Sequence, residues 1–513
     1  MCVRITFMGE NKNKDKRKNI YFGHIIVIFV LLELYIICTT VFSSDIWYDE
    51  VFSVQFSRLD LSQMLNMAKR DVHPPLYYLY LKGCVKLLGL FNIGEIAACK
   101  LASVMPLFVL LVFAFAWVRK RYGVAVMNAY IIFLVMMPNM AAFYVEIRMY
   151  SLALMFMTLA YGAMIDILRS EKVRSIQFFL FFIFALAAAY TQYFACVGII
   201  TVYIILIIGL YMQKKDRIFL KITAGLIVTS IIFYLPWLPS FYRQIKDVSG
   251  SFWIQPMTLR SLPGCVKYLL LPDVLNPVAA YSLVGIMIII CIIGYVTYFM
   301  KDHGILYVIE GCGGIAALSA VIIVGFVFSC LGSPIFTYRY MIPMCGILYL
   351  NIAIVLLKDR KDVYVFAILF FLLIYGYASF EGFSAEETKK VNAWKDAEEK
   401  LSRIEDGSVI ITNFDHVTAI SAFYFEDDDI YIYEGEVSDV IIDMFGGCEY
   451  IDDEGIEKLL QTKDNVYFFG SFNVRDEIVS SWEQKGIYAD YLDECLVERY
   501  WFNIYRLSYE PQN

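Results

Sequence analysis

Long apolar runs are the feature of this sequence that most restricts its fold. About 11 stretches of roughly 20 mostly apolar residues lie within the first 380 of its 513 residues, and a helix of that length spans the hydrocarbon core of a bilayer. Charged residues make up only 18% of the chain, whereas about a quarter is usual in soluble domains. Backbone polar groups in hydrocarbon must be hydrogen-bonded internally. The runs therefore predict a polytopic α-helical membrane protein.

Basic clusters predict how these helices are oriented. Cytoplasmic connections are enriched in Lys and Arg, and Lys12–Lys18, Arg119–Arg121 and the later clusters fall on one side of a topology with about 11 spans. The sequence thus predicts a multi-pass protein of the cell membrane with a cytoplasmic N-terminus and an extracytoplasmic C-terminal domain. The first run lacks a clear cleavage site and is predicted to stay as a span. The predicted spans cover approximately residues 21–42, 96–118, 124–143, 149–168, 176–193, 195–212, 218–238, 277–300, 305–329, 336–357 and 363–380.

The first extracytoplasmic loop is predicted to be long, from about residue 43 to residue 95. Within it, residues 74–90 place Tyr78, Lys82 and Lys86 on one helical face. This spacing predicts an amphipathic helix in the outer membrane interface, because an additional span would reverse every basic cluster that follows.

Composition changes sharply near residue 380. The last 133 residues hold 31 Asp and Glu against 11 Lys and Arg, whereas the preceding part is basic. Strand-like runs at residues 408–412, 430–433, 465–469 and 502–507 alternate with helical runs in this tail, which indicates a small α/β domain. We therefore expect a membrane domain, 1–380, and an acidic extracytoplasmic α/β domain, 381–513. Cys448 and Cys495 are the tail's cysteines, and the sequence leaves open whether they pair.

Polar residues recur in the predicted outer loops, although a bilayer solvates charged groups poorly and such residues need a reason to be there. Carboxylates of this kind can remove a proton from a hydroxyl group. Arginine forks can bind a phosphate and stabilise it as it leaves. Transfer of a sugar from a lipid phosphate needs both groups. The candidate residues are Asp49, Glu50, Asp71, His73, Glu146, Arg148, Tyr150, Thr191, Gln192, Tyr193 and Arg339.

Simpler roles are open for the same residues. The Asp49–Glu50 pair could be a solvated loop feature, and Arg148 could pair with Glu146 or extend to lipid headgroups. A transporter or flippase of lipid-linked sugars is the main alternative to an enzyme, although transporters usually place ionisable groups near the membrane midplane. A non-catalytic scaffold is a further alternative. No nucleic-acid partner is expected.

Four short motifs follow one another in the chain: Trp47-Tyr48-Asp49-Glu50, Asp71-x-His73-Pro74-Pro75-Leu76, Glu146-x-Arg148-Met149-Tyr150 and Tyr338-Arg339-Tyr340. In this order they resemble the GT-C glycosyltransferases. The nearest branch is the one related to protein O-mannosyltransferases and to enzymes that add aminoarabinose to lipid A, whose bacterial members are often described as dolichyl-phosphate-mannose-protein mannosyltransferase-like. The similarity covers about residues 20 to 380.

The resemblance implies a role for each motif. Asp49 matches the proposed catalytic base, and Glu50 matches the second acid of the pair. The segment around His73 shapes the donor and acceptor cleft, and Arg148 and Arg339 hold the lipid phosphate. The implied partners are a polyprenyl-phosphate sugar donor, the lipid bilayer and an extracytoplasmic acceptor. The resemblance implies no certain cofactor, but it leaves open a divalent metal ion on Asp49, Glu50 and Asp71.

Overall fold

The computed structural model describes residues 29–40, 46–213, 217–248, 254–274, 276–301, 304–332, 334–472, 474–497 and 499–509. The basic stretch Lys12–Lys18, the start of the first predicted span, Lys214, Lys215 and Ser333 lie outside them. The chain forms two compact units. The helical unit comprises Met1–Thr39, Val72–Tyr77 and Lys100–Ser384. The tail unit comprises Thr40–Asp71, Tyr78–Cys99 and Ala385–Asn513.

The helical segments follow one another in a simple order. A π-helical turn at Ala114–Val118 separates α5 from α6, and single 3-10 turns at Leu235–Trp237 and Tyr338–Met341 precede α13 and α17. The helices up to α18 are α1 Phe29–Thr40, α2 Tyr48–Arg58, α3 Leu61–Ala68, α4 Leu76–Gly89, α5 Glu95–Phe113, α6 Arg119–Tyr122, α7 Val124–Met136, α8 Met140–Val145, α9 Tyr150–Arg169, α10 Ser175–Thr191, α11 Tyr193–Gln213, α12 Ile218–Tyr234, α13 Leu238–Val248, α14 Ser261–Leu270, α15 Pro277–Phe299, α16 Ile305–Cys330, α17 Ile342–Leu357 and α18 Asp362–Leu401.

Each predicted span corresponds to a helix. Within the described residues, 8 helices are long and apolar enough to cross a membrane, and three shorter apolar helices, α1, α7 and α10, occupy the other predicted positions. The exact number of crossings remains a prediction. Apolar side chains on α12 and α15 are largely exposed, as expected for helices that face lipid, whereas α9 and α17 are buried along most of their length.

Close packing in the helical unit depends on a small residue and on buried polar contacts. A Cβ atom at Gly314 would lie 2.5 Å from the Leu348 Cα atom, so α16 and α17 can approach this closely only with glycine at that position. The buried Asn351 amide donates to the Tyr161 hydroxyl at 3.1 Å, and Tyr161 donates to the Ile309 carbonyl at 2.7 Å. These bonds fix the register of α9, α16 and α17.

A buried carboxylate joins several of the predicted cytoplasmic connections. Glu310 is 1% exposed and accepts hydrogen bonds from the Tyr122 hydroxyl at 3.0 Å and from Lys358 Nζ at 3.1 Å. Arg169 forms an ion pair with the same carboxylate. Tyr122, Arg169 and Lys358 come from three separate predicted inner connections. Their convergence supports the prediction that these connections share one end of the helices.

The tail contains a six-stranded sheet with the strand order β3-β2-β1-β4-β6-β5. Strands β1, β2, β3 and β4 run parallel to one another, whereas β6 runs antiparallel to both β4 and β5. Its core includes Trp482 and Phe468, both fully buried. The strands are β1 Val409–Thr412, β2 Asp429–Ile432, β3 Cys448–Tyr450, β4 Val466–Gly470, β5 Tyr488–Val497 and β6 Tyr500–Ser508, and the helices are α19 Asp415–Tyr424, α20 Asp439–Phe445, α21 Asp453–Thr462 and α22 Val474–Gln484.

The two tail cysteines do not pair. Cys448 lies in β3 and Cys495 in β5, the strands at opposite edges of the sheet, and both thiols are free and buried. The compact units also differ from the predicted division at residue 380, because the tail unit includes the residues around α2 and α3. The predicted domains, 1–380 and 381–513, therefore remain a prediction about how the chain is organised.

Candidate active site

The two adjacent acids, Asp49 and Glu50, have different surroundings in the first turn of α2. A carboxylate there is favoured by the partial positive charge of the helix N-terminus. The Glu50 side chain is buried, and its Oε2 atom accepts a hydrogen bond from the Trp47 backbone N–H at 3.2 Å. Glu50 therefore caps its own helix. Asp49 is only partly buried, so it is the better placed of the two to meet a substrate.

Asp71 is fixed by α4. Its Oδ2 atom accepts a hydrogen bond from the Tyr78 hydroxyl at 2.7 Å, and Tyr78 stacks on Phe56 of α2 with ring centres 3.9 Å apart. Lys82 Nζ donates to the carbonyl groups of Ser57 and Leu59 at the end of α2. The predicted polar stripe of α4 thus binds α2 and the residues around it. Its position in the membrane interface stays a prediction.

His416 and Arg499 of the tail contact the two aromatic side chains that precede the acid pair. The Tyr48 ring stacks on His416 with centres 3.8 Å apart, and His416 Nδ1 bonds the neighbouring Asp415 carboxylate. The Arg499 guanidinium lies over the Trp47 ring at 4.0 Å. Burial raises the pKa of Tyr48 well above its usual range, and the negative charges of Asp415, Asp49 and Asp71 raise it further. Tyr48 is therefore a neutral phenol at physiological pH.

The Tyr48–His416 stack lies at the carboxyl-end edge of the sheet, where ligands usually bind in α/β proteins with parallel strands. In the strand order 3-2-1-4 the chain reverses its direction of winding between β1 and β4, and ligands bind at the carboxyl ends of strands at such a point. Asn413, just after β1, joins the two strand ends through the Ser471 backbone at 2.9 and 3.0 Å. Phe414 and His416 follow directly. No local sequence pattern predicts this arrangement, because it depends on the order of the strands in the sheet.

The described residues contain no group of three His, Cys, Asp or Glu side chains placed to hold a metal ion. Asp49, Glu50 and Asp71 therefore do not form such a group. The carboxylates of Glu50 and Asp71 already bond Trp47 and Tyr78. These residues do not fit a metal centre.

In the helical unit, His73 and Arg148 form a buried pair. Arg148 Nη2 lies 2.8 Å from His73 Nε2, and the two residues are 4% and 6% exposed. Because a guanidinium only donates hydrogen bonds, His73 Nε2 accepts this one and the imidazole proton lies on Nδ1. Arg148 is presented by a tight turn after α8, in which its backbone N–H donates to the Glu146 carbonyl at 2.7 Å. Glu146 itself is partly exposed.

A second arginine of the same unit lies beside a buried tyrosine. The Arg339 guanidinium is 5.9 Å from the ring centre of Tyr150, within the range of a cation–π interaction. Tyr150 is fully buried at the start of α9, and Arg339 lies in the 3-10 turn before α17. Four of the predicted residues of this unit thus form two pairs, His73 with Arg148 and Tyr150 with Arg339.

An apolar cavity adjoins the His73 side chain. Its polar lining consists of His73, Gln192, Tyr193 and Gln244, and the rest of its wall is mostly aliphatic or aromatic. Gln192 and Tyr193 are among the polar residues predicted in the outer loops, but no local sequence pattern predicts the cavity. The apolar wall is formed by Val72, Phe194, Val197, Phe241, Ile245, Val324, Phe328, Ile335 and Tyr340.

Comparisons with solved structures identify the fold. The chain is similar to two crystal structures of ArnT from Cupriavidus metallidurans, one bound to undecaprenyl phosphate and one in the apo state. Their TM-scores are 0.60 and 0.58, each at 12% identity and covering 95% of this chain and 99% of ArnT. An oligosaccharyltransferase from Archaeoglobus fulgidus is a weaker match. Its TM-score is 0.44 at 10% identity, and the match covers 87% of this chain and 68% of the oligosaccharyltransferase. No protein-family model and no curated protein matches the sequence.

The chain is therefore a multi-pass membrane protein. More particularly, it has the fold of ArnT over nearly its whole length, including the small C-terminal sheet domain. The predicted fold class, a polytopic α-helical membrane protein with a small C-terminal α/β domain, is confirmed.

Proposed function

We propose that this protein is an integral membrane glycosyltransferase that moves a sugar, most simply a hexose, from a polyprenyl-phosphate donor to an extracytoplasmic acceptor. The observation that carries the proposal is the buried His73–Arg148 pair beside an apolar cavity, in a chain with the ArnT fold. A guanidinium can bind the phosphate anion of a lipid-linked donor, and the apolar chain of that donor can remain in the lipid around the helices. ArnT itself has been crystallised with undecaprenyl phosphate, which supports this class of donor.

Arg148 and Arg339 are proposed to bind the donor phosphate. Arginine keeps its charge when buried and can form two parallel hydrogen bonds to one phosphate. His73 orients Arg148 through the 2.8 Å bond. Tyr150, under Arg339, and Glu146, on the turn that presents Arg148, are proposed to line the donor and acceptor positions. As the sugar leaves, the phosphate gains negative charge, and the two guanidinium groups stabilise that charge.

Asp49 is proposed to be the general base. It removes the proton of the acceptor hydroxyl as that oxygen forms its bond to the anomeric carbon. The bond between the anomeric carbon and the phosphate oxygen breaks, and its electron pair stays on the phosphate. Glu50 caps α2, and the tail supports the same segment through the Tyr48–His416 stack. The acceptor is proposed to be an envelope glycan, a lipid or an exported protein.

Replacing Asp49 with Asn tests this proposal. Asn keeps the size of the side chain but cannot accept the proton, so transfer from a polyprenyl-phosphate hexose should fall about a hundredfold to ten-thousandfold. Protein abundance and membrane insertion should stay normal. The purified enzyme should release polyprenyl phosphate from that donor and should not use the matching nucleotide sugar. Near-native turnover by Asp49→Asn would exclude this residue as the base. Movement of the lipid-linked sugar between leaflets without transfer would identify a flippase.

The proposed orientation needs its own experiment. The basic clusters all fall in connections on one side of the membrane in the predicted topology. They predict that the domain from residue 381 to residue 513 lies outside the cytoplasm. A protease added to intact protoplasts should therefore remove it, whereas an epitope fused to the N-terminus should resist until lysis. The opposite pattern would invert the proposed topology and place the acid pair on the cytoplasmic side.

A further inference from the structure

Gln192 occupies the single-residue break between α10 and α11 in the helical unit. Its backbone is extended, with φ −158° and ψ 140°, a conformation open to any residue. The side chain is 1% exposed and lines the apolar cavity next to His73. Within the part of the chain that the structure describes, neither the amide oxygen nor the amide nitrogen of Gln192 has a hydrogen-bond partner.

A second glutamine in the same cavity shows the contrast. Gln244 Oε1 accepts a hydrogen bond from the Tyr193 hydroxyl, and Trp237 Nε1 donates to that hydroxyl at 3.0 Å. Gln244 therefore belongs to a hydrogen-bond chain within the protein. Gln192 lines the same cavity but has no such bond to its amide. The two side chains are a matched pair that differ in what their amides contact.

A buried amide without partners costs free energy that an apolar side chain of the same size would not. Gln192 is thus unfavourable for the fold alone, and this kind of cost is expected at residues that bind a ligand. We propose that Gln192 determines donor specificity by binding hydroxyl groups of the donor sugar. This inference rests on the proposed function.

The chemistry of the amide favours a sugar over the phosphate. The Gln192 amide offers donors on Nε2 and an acceptor on Oε1. Phosphate oxygens only accept hydrogen bonds and would satisfy one side of the amide. Two neighbouring sugar hydroxyls can donate to Oε1 and accept from Nε2 at once. His73 lines the same cavity and bonds Arg148, so a phosphate held by that pair would bring its sugar to the cavity.

The test compares Gln192→Met with Gln244→Met in the full-length protein purified in detergent. Methionine preserves the length of the side chain and removes the amide. Without ligand, Gln192→Met should melt at the same temperature as the wild type or higher, because it removes an unsatisfied polar group. Gln244→Met should melt lower, because the Tyr193 hydroxyl loses its acceptor. A lower melting temperature for Gln192→Met alone would show that the amide has a structural role and would overturn the inference.

Binding measurements then distinguish contacts to the sugar from contacts to the phosphate. Affinities for polyprenyl phosphate and for polyprenyl phosphate carrying glucose, mannose or galactose are measured by quenching of tryptophan fluorescence. The wild type should prefer one sugar-bearing lipid, and Gln192→Met should lose about tenfold in affinity for it. Affinity for the bare lipid phosphate should not change. An equal loss for both lipids would assign Gln192 to the phosphate, and an absence of sugar preference in the wild type would also overturn the inference.

These measurements do not depend on transfer. Wild-type protein that binds a sugar-bearing lipid through Gln192 but never transfers the sugar would contradict the proposed function and leave this inference intact. Normal sugar transfer by the Gln192→Met variant would contradict this inference alone.

Discussion

The hydrogen bond between Arg148 and His73 predicts strongly non-additive mutations. Arg148→Lys keeps the positive charge but removes the guanidinium that reaches His73 Nε2 at 2.8 Å. His73→Asn removes Nε2 and keeps a small polar side chain. Each change breaks the same buried contact. Each should therefore impair use of the lipid-phosphate donor, and the double variant should be little worse than the more damaging single variant.

The burial of both side chains sets the size of the effect. A hydrogen bond that involves a charged group contributes about 1.5 to 3 kcal/mol net. Each 1.36 kcal/mol changes a rate constant about tenfold, so each single variant should lose about 10-fold to 150-fold in kcat/KM for the donor. If both act through this bond alone, the double variant should lose the same amount. The coupling energy should then be about 1.5 kcal/mol or more.

The assay is release of polyprenyl phosphate from a polyprenyl-phosphate hexose, measured over a range of donor concentrations. Arg360→Lys is the matched control. Arg360 donates to the Thr297 hydroxyl at 2.7 Å and to the Val355 carbonyl at 3.1 Å, at the predicted cytoplasmic connection between α17 and α18. The same substitution there should leave kcat/KM nearly unchanged. Effects of Arg148→Lys and His73→Asn that add within about 0.5 kcal/mol would refute the reasoning, because uncoupled sites behave in that way.

Three further predictions concern the tail unit. Glu50→Gln should keep native stability and transfer, because glutamine also caps helices from this position; a collapse of transfer would make Glu50 the base. His416→Ala should lower kcat at normal protein abundance, whereas His416→Phe, which keeps a flat ring against Tyr48, should restore it; equal losses would show that stacking is not the cause. Burial raises the pKa of the Cys448 and Cys495 thiols to about 11 and about 12. Neither thiol should react with maleimide at pH 8 in the folded protein, and reductant should not change its melting temperature.

Apolar runs predicted the helices well because a membrane helix satisfies its backbone within its own segment. Every predicted span corresponds to a helix, and the four predicted tail strands agree with β1, β2, β4 and β6 to within about two residues. Strands β3 and β5 were not predicted. The short β3, Cys448–Tyr450, is partly exposed, and β5 contains the acidic residues Asp490, Asp493 and Glu494, so neither shows a clear apolar pattern.

Contacts between residues distant in the chain escaped sequence analysis. The Tyr48–His416 stack depends on the order of strands in the sheet, for which no local pattern exists. The role of Glu310 depends on three separate connections that meet at one carboxylate. The resemblance groups Glu50 with Asp49 because Glu50 matches the second acid of the motif. Its capping bond was hidden because Trp47 is not a typical residue to precede a helix.

The chemical demands of the proposed reaction explain which residue type lies in which surroundings. A carboxylate moved into an apolar environment becomes harder to ionise, whereas arginine stays charged when buried. Accordingly Arg148 is 4% exposed and bonds His73, which lines an apolar cavity, and Asp49 is only partly buried on a helix N-terminus. A base must stay ionised to accept a proton, and a phosphate ligand gains strength where water is excluded. Exchanging the two residue types would therefore weaken both functions, and this physical division favours the assignment of Asp49 as the base over the buried Glu50.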